Sequence, residues 1–320
     1  MISIGKCGFS IMSLVLPPPL VARPGTFDDI PAIAAMTRHA ETVDAGEPLV
    51  TLEDIESDWR RPGFVPAADS LLVFDGDQLA AYAEVPGWRV EACVHPNYRG
   101  LGIGTALLGW IEQRGLQRTP PDSEARVGQT IPELRTAAAD LFIQHGYEPS
   151  HTSWILRLPD DRTVEHQSLP ESVTIRPYRP GEEDKAVFRV IEDAFNEWPS
   201  RPRSNFETWQ TEVTKRRDFD PALLIVAADD GEVVGAVFGI SYPDEGWVEQ
   251  LAVRRDHRGR GIAKALLREV FDEFRRRGSP AVGLSTDSRT GALDLYLQVG
   301  MVVRATWVHY SKLLRPAGIL

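Results

Sequence analysis

The feature that most constrains this chain is that it is written twice. Residues 97–108 read NYRGLGIGTALL, and residues 256–267, 159 positions later, read DHRGRGIAKALL. Three further pairs keep the same order. ARPGTFDDIPAIAAM (22–36) resembles IRPYRPGEEDKAVFRVI (175–191), and LLVFDGDQLAAYAEV (71–85) resembles LLIVAADDGEVVGAVFGI (223–240). LFIQHGYEPSHTSWILRL (141–158) resembles LYLQVGMVVRATWVHYSKL (295–313). The starts of the paired stretches are offset by 152–159 positions. Ordered repetition of this kind means duplication of one structural plan, so the fold is a small domain used twice.

Hydrophobic spacing gives the plan. Each copy opens on Arg-Pro, an acidic helix start and an apolar period of a helix. Two apolar runs around Asp-Gly follow and predict a β-hairpin. Then come a strand, a glycine turn, an amphipathic helix with Ile262, Leu266, Val270 and Phe274 on one face, and strand, helix, strand. That mixture predicts an α/β (α+β) fold, with two tandem domains, each a mixed, mostly antiparallel sheet flanked by helices. With 320 residues there is length for two cores. The stretch 158–173 is rich in Pro, Ser and charge without an apolar period. The expected division is therefore 1–158, a linker at 159–173, and 174–320.

Charge and cysteine content exclude several classes. A net charge of −11 argues against a general nucleic-acid or anionic-membrane binder, so neither is expected as a partner. Two cysteines, Cys7 and Cys93, give no disulfide framework and no CxxC pair for zinc; no metal is expected, and reduced thiols fit the cytoplasm. The apolar run GFSIMSLVL near the start is broken by serines and followed by three prolines. It is too short to span a bilayer and reads as a tail before a first strand, with Met12 a second candidate start besides Met1.

The glycine turns carry the chemistry. Glycines ahead of a helix let successive N–H groups turn inward, and at a helix N-terminus those donors favour an anion such as a phosphate. The Walker pattern and the dinucleotide fingerprint are both missing. What is present is an arginine five residues after a valine: Val94, then Arg99-Gly100-Leu101-Gly102-Ile103-Gly104; and Val253, then Arg258-Gly259-Arg260-Gly261-Ile262-Ala263. This resembles the acetyl-CoA loop of the GNAT superfamily of N-acetyltransferases, and ALDLYLQVGM resembles that family's late-helix signature. The order of elements matches the family along nearly the whole of each copy.

The resemblance implies acetyl-CoA as cofactor, its pyrophosphate on the loop amides, and transfer of an acetyl group to a primary amine. Leu251, Ala252 and Val253 on the preceding strand, with a backbone N–H near Leu251, would position and polarise the thioester. A strand carboxylate, Glu249, would act as base, and Tyr296 as acid, since a phenol is protonated at neutral pH. Arg289 stands where the family often has an asparagine touching the coenzyme, and could pair a phosphate instead. The first copy departs: Phe142 replaces Tyr296 and cannot donate a proton. Glu91 lies three residues before its valine rather than four, which turns it to the other face unless a bulge intervenes. The first copy is therefore expected to be non-catalytic and the second catalytic.

For the acceptor, the segment 194–210 corresponds to the family's substrate-lining connection. Asn196, Glu197 and Trp198 are its candidate contacts, and the partner is a small-molecule or peptide amine. The tandem layout is also similar to that of the two-copy mycothiol synthases, leaving a cysteinyl-sugar amine as an alternative acceptor. A catalytically silent acyl-CoA binder is the remaining alternative, and it would have no need of Glu249 and Tyr296.

Overall fold

A computed structural model describes residues 14–46, 48, 50–120, 122–166, 168–197 and 203–315. Along the chain lie β1 (Val21–Arg23), α1 (Ile30–Ala45), α2 (Leu52–Trp59), α3 (Pro66–Asp69), β2 (Ser70–Asp75), β3 (Gln78–Glu84), β4 (Glu91–Val94), α4 (Ile103–Arg118), β5 (Ala125–Pro132), α5 (Thr136–Gln144) and β6 (Glu148–Leu158). The plan then repeats: β7 (Val173–Pro177), α6 (Asp184–Phe195), α7 (Phe206–Glu212), β8 (Leu224–Asp229), β9 (Glu232–Ser241), β10 (Gly246–Val253), α8 (Ile262–Arg276), β11 (Val282–Asp287), α9 (Leu293–Gln298) and β12 (Val302–Leu314). Among the described residues no helix is long and apolar enough to cross a membrane.

The chain forms two compact units, but they do not divide at the expected linker. One unit is 1–151 with 307–320, the other 152–306. Residues 159–172 do separate β6 from β7. Each unit, however, takes the last strand of the other half. In the first unit, Trp307–Leu314 of β12 pairs antiparallel with Pro132–Ala125 of β5. In the second, Ser153–Leu158 of β6 pairs antiparallel with Asp287–Val282 of β11. The physical reason is the duplication. β5 and β11 present the same unpaired edge, so either copy's final strand satisfies either one.

Within each unit the sheet is meander-like. β1–β2–β3–β4 are successive antiparallel neighbours in the first unit, and β7–β8–β9–β10 in the second. The hairpins turn on two residues each. Gly76 has φ 56° in the first; Asp230 and Gly231 have φ 48° and 85° in the second, the left-handed pair of a type I′ turn. Helices cover both faces. α4 and α8 pack on one face, with Ile103, Leu107 and Ile111, or Ile262, Leu266 and Phe274, at or near zero exposure. α1–α2 and α6–α7 cover the other face through Ile33 and Trp59, and through Ile191 and Trp209.

An arginine–carboxylate clamp fixes each first helix to the first strand. Arg23 grips Asp29 at 2.8 and 2.6 Å, and Arg176 grips Glu183 at 2.9 and 2.6 Å. The guanidinium hydrogen bonds hold both carboxyls down at about 2. The repeated Arg-Pro is thus a structural feature.

Candidate active site

The site is built where β10 and β11 part. β10 pairs parallel with β11 only at Gly246–Val248, opposite Val282–Leu284, whereas its antiparallel pairing with β9 continues to Val253. The separation begins at a bulge, since Val248 faces Gly239, Gln250 faces Phe238, and Glu249 is the extra residue between them. Arg254 N–H donates to the Val234 carbonyl at 2.8 Å. Strand alternation then turns the backbone groups of Gln250 and Ala252 toward β9, and those of Leu251 and Val253 into the opening. The opening is therefore lined by strand-edge amide groups, with the exposed Glu249 side chain at its start.

The glycine turn stands at the head of this wedge. Gly259 and Gly261 have φ 76° and 81°, conformations that a side chain resists, and Gly261 is the N-cap of α8. The free N–H groups of the first turn of α8 point out of the helix start. The arginines of the motif are committed elsewhere. Arg258 donates from Nε to the Val253 carbonyl at 3.0 Å and bidentately to Glu197 at 2.8 and 2.9 Å. Arg260 donates to Asp229 at 3.0 Å, where His257 also lies at 3.2 Å. Arg289 is turned back on Asp287. The motif's arginines are thus committed to carboxylates, leaving the loop amides as the donors of the turn, and Arg258 acts as the strut that shapes the loop.

The same strut recurs in the first copy. Arg99 donates to the Val94 carbonyl at 3.3 Å and bidentately to Asp44 at 2.8 and 3.0 Å. Gly100 and Gly102 have φ 80° and 81°. Asp44 and Glu197 stand 153 positions apart, inside the repeat offset, so aligning carboxylates across the two copies is the sequence signal that identifies them. Leu101 is exposed, and Ile103 is buried at the start of α4.

Tyr296 is buried in the cluster that also holds Ile262 and Leu266, with Leu251 and Ala263 packed against it. Burial pushes its phenol up to about 12, so it is protonated throughout the neutral range. Its counterpart Phe142 is equally buried and stacks on Tyr310 at 5.3 Å. Around Glu249 the structure adds residues that no local motif marks. Burial and then the Glu249 charge raise the Tyr242 phenol. Arg216, clamped by Asp218 at 2.9 and 2.8 Å, also senses Glu249.

The three residues from the 194–210 segment separate. Asn196 ends α6 by bonding back to the Glu192 carbonyl at 2.7 Å. Glu197 is the partner of Arg258, and Trp198 lies outside the described residues, as do Cys7, Met1 and Met12. Cys93 is a half-buried free thiol.

In the first copy β4 has no bulge against β3, and Glu91 faces Glu84 directly across the strands. By register with the neighbouring strand Glu91 corresponds to Gln250, and Glu84 to Phe238. Burial pushes both carboxyls up to about 7, with the Trp59 indole donating to Glu84 at 2.5 Å. Glu249 has no counterpart in β4, because the extra residue belongs to the second copy alone.

Known proteins resemble the chain in both parts. The family described as "Acetyltransferase (GNAT) family" matches residues 185–301, and the "Acetyltransferase (GNAT) domain" matches 68–149. A mycothiol acetyltransferase of Thermomonospora curvata is 32% identical over 76% of this chain and 82% of its own length. One from Sanguibacter keddieii is 30% identical over 88% and 92%. Among solved structures, a GCN5-related N-acetyltransferase from Sphaerobacter thermophilus superposes with a TM-score of 0.81 at 35% identity, over 96% of this chain and 99% of that one. A tandem GNAT protein of the clavulanic acid biosynthesis pathway shares the fold at a TM-score of 0.67 and 17% identity, over 93% and 99%.

Proposed function

The chain belongs to the GNAT family of acetyltransferases, with the fold present twice in tandem, and from that premise we propose that its C-terminal half performs acetyl-CoA-dependent N-acetylation of a primary amine. The observation that carries this reading is the wedge beside β10, which brings strand-edge amides, a glycine-turned helix N-terminus and Glu249 to one opening.

The residues divide the work. Backbone N–H groups of Arg258–Ala263 would hold the coenzyme pyrophosphate. The Leu251 N–H, directed into the opening, would steady the thioester oxygen as charge develops on it. Acetyl-CoA supplies the acetyl group as a thioester. Glu249, exposed at the bulge, takes a proton from the incoming ammonium, so that the neutral amine can attack the thioester. Tyr296, kept protonated by burial, gives its proton to the departing thiolate sulfur. Arg258 and Glu197 act on the loop's shape, and Arg216 and Tyr242 stand within the electrostatic reach of Glu249.

A narrower reading has its own support. The curated relatives that match most of this chain are named mycothiol acetyltransferases, which favours a cysteinyl-sugar amine as acceptor. One experiment addresses both levels. A panel of primary amines, including cysteinyl-glucosamine, is offered with acetyl-CoA, and release of free coenzyme thiol is followed. Turnover with any amine supports the transferase; preference for cysteinyl-glucosamine supports the narrower acceptor. Coenzyme binding without thiol release for every amine would leave a silent acyl-CoA binder.

A further inference from the structure

We infer that the N-terminal unit contains a second coenzyme cleft held closed by one side chain, Gln129, so that the protein takes one coenzyme per chain although it has two glycine loops. The inference rests on the coenzyme reading of the C-terminal wedge and extends it to the other copy.

β4 and β5 separate as β10 and β11 do. Among the described residues the ladder contact between them is a parallel bridge of Arg89, just before β4, with Gly128, supported by Val90 N–H to the Gly128 carbonyl at 2.8 Å and Gly128 N–H to the Trp88 carbonyl at 2.7 Å. The matching contact in the second unit is Trp247 with Gly283. Both glycines lie against a tryptophan ring: a Cβ would meet Trp88 at 3.4 Å in one case and Trp247 at 3.0 Å in the other. His95 N–H donates to the Ala80 carbonyl at 2.9 Å, so alternation turns the backbone groups of Ala92 and Val94 into the gap. Ala92 thus stands where Leu251 stands in the second copy.

The two gaps differ at the next position. Gln129, 7% exposed, crosses the first and donates from Nε2 to the Ala92 carbonyl at 2.7 Å. Its register counterpart is Leu284, which is apolar and buried in the core. Among the described residues no side chain donates to the Leu251 carbonyl. A ligand arm bearing amide groups, as coenzyme A does, would use such a strand edge for hydrogen bonds. In the first copy the Ala92 carbonyl of that edge is already taken by the Gln129 side chain. The loop of Arg99–Gly104 remains well formed, but the arm attached to any phosphate held there meets a strand-edge acceptor already bridged by Gln129.

The test is calorimetric titration of coenzyme A into the full-length chain, wild type against Gln129→Leu and Gln129→Met, with circular dichroism reporting the fold. We expect a stoichiometry of one for the wild type and two for each variant, falling back to one when Gly261→Trp is added. A wild type that binds two coenzymes overturns the inference. So does a folded variant of either kind that gains no site. The gain on replacing Gln129 is read independently of the wild-type count. A wild type that binds none, beside a variant that binds one, would therefore remove the coenzyme reading of the C-terminal unit while supporting the closed cleft.

Discussion

The two units keep the same scaffold and differ in what faces the opening between the parted strands. Both have the arginine strut to a valine carbonyl and a carboxylate, both have left-handed glycines ahead of a long helix, and both set a glycine against a tryptophan at the point of separation. The second unit has a bulge with a protruding carboxylate, an apolar Leu284 and the phenol of Tyr296. The first has no bulge, a bridging Gln129, the bare ring of Phe142, and two carboxylates facing each other on the opposite face. A duplicated chain thus supplies its own control. What both copies retain is what the fold requires, and what only one retains is the candidate for chemistry.

The largest effect that can break this contrast is on turnover. Glu249→Gln and Tyr296→Phe should each lower kcat by about 10²- to 10⁴-fold, with little change in coenzyme affinity, because each removes only a proton transfer. Phe142→Tyr, the reverse change in the first copy, should leave kcat unaltered. Unchanged turnover in Tyr296→Phe would make that ring a packing element and remove one of the main grounds for ranking the second unit above the first.

A smaller contrast concerns the two struts. The Asp44 side chain is 7% exposed and receives both Arg99 and Arg135. Glu197 is 39% exposed and receives Arg258 alone among the ion pairs seen. Asp44→Ala leaves two guanidiniums around an empty place and should cost about 2–4 kcal/mol of unfolding free energy. Glu197→Ala should cost about 1 kcal/mol or less, since an open pair is screened. Its effect should appear instead as weaker coenzyme binding through the loosened loop. Equal losses of stability from the two, by urea denaturation, would mean that the struts do the same work in both units.

The paired carboxylates of the first unit give a pH dependence of definite sign. Burial raises the Glu84 carboxyl from 4.5 to about 7, opposed by the indole hydrogen bond of Trp59 and assisted by Glu91. The folded state therefore binds this proton more tightly than the unfolded state. Its stabilisation is complete below about pH 4.5 and is lost as pH rises to about 7, a change on the order of 2–3 kcal/mol. Glu91, with 38% of its side chain open to water, adds a screened share of the same sign. Glu84→Gln keeps an oxygen for the indole, and should flatten the fall of Tm between pH 4.5 and 8. Parallel pH profiles for the variant and the wild type would count against a proton held between these strands.

Much of this architecture was legible in the sequence, because a duplication shows hairpins, loops and helices twice. The Asp-Gly turns and the glycine loops are legible from spacing, and the late-helix Tyr296 from the resemblance of ALDLYLQVGM to the family's signature. The register question raised by Glu91 and Glu249 was legible as a question only, since a bulge changes pairing without changing composition. Arg258 and Arg260 are visible in the sequence only as members of the loop motif, and the structure turns them to Glu197 and Asp229, partners distant in the chain. The exchanged strands were hidden for a different reason: β6 and β12 fit either edge by pattern, and only the three-dimensional pairing distinguishes them. Gln129 had no local signal, because its meaning depends on a gap that opens between two strands.

The central claim is that one unit carries the reaction and the other supports it. The most direct measurement uses paired loop variants, Gly102→Trp and Gly261→Trp, assayed by thiol release from acetyl-CoA with an accepted amine. Both glycines cap a helix at φ 81°, so the backbone penalty is the same in each. The account predicts that Gly261→Trp abolishes transfer and that Gly102→Trp retains most of it, apart from a loss of stability. Loss of transfer in a Gly102→Trp protein that remains folded by circular dichroism would contradict it, and would place the first unit in the reaction.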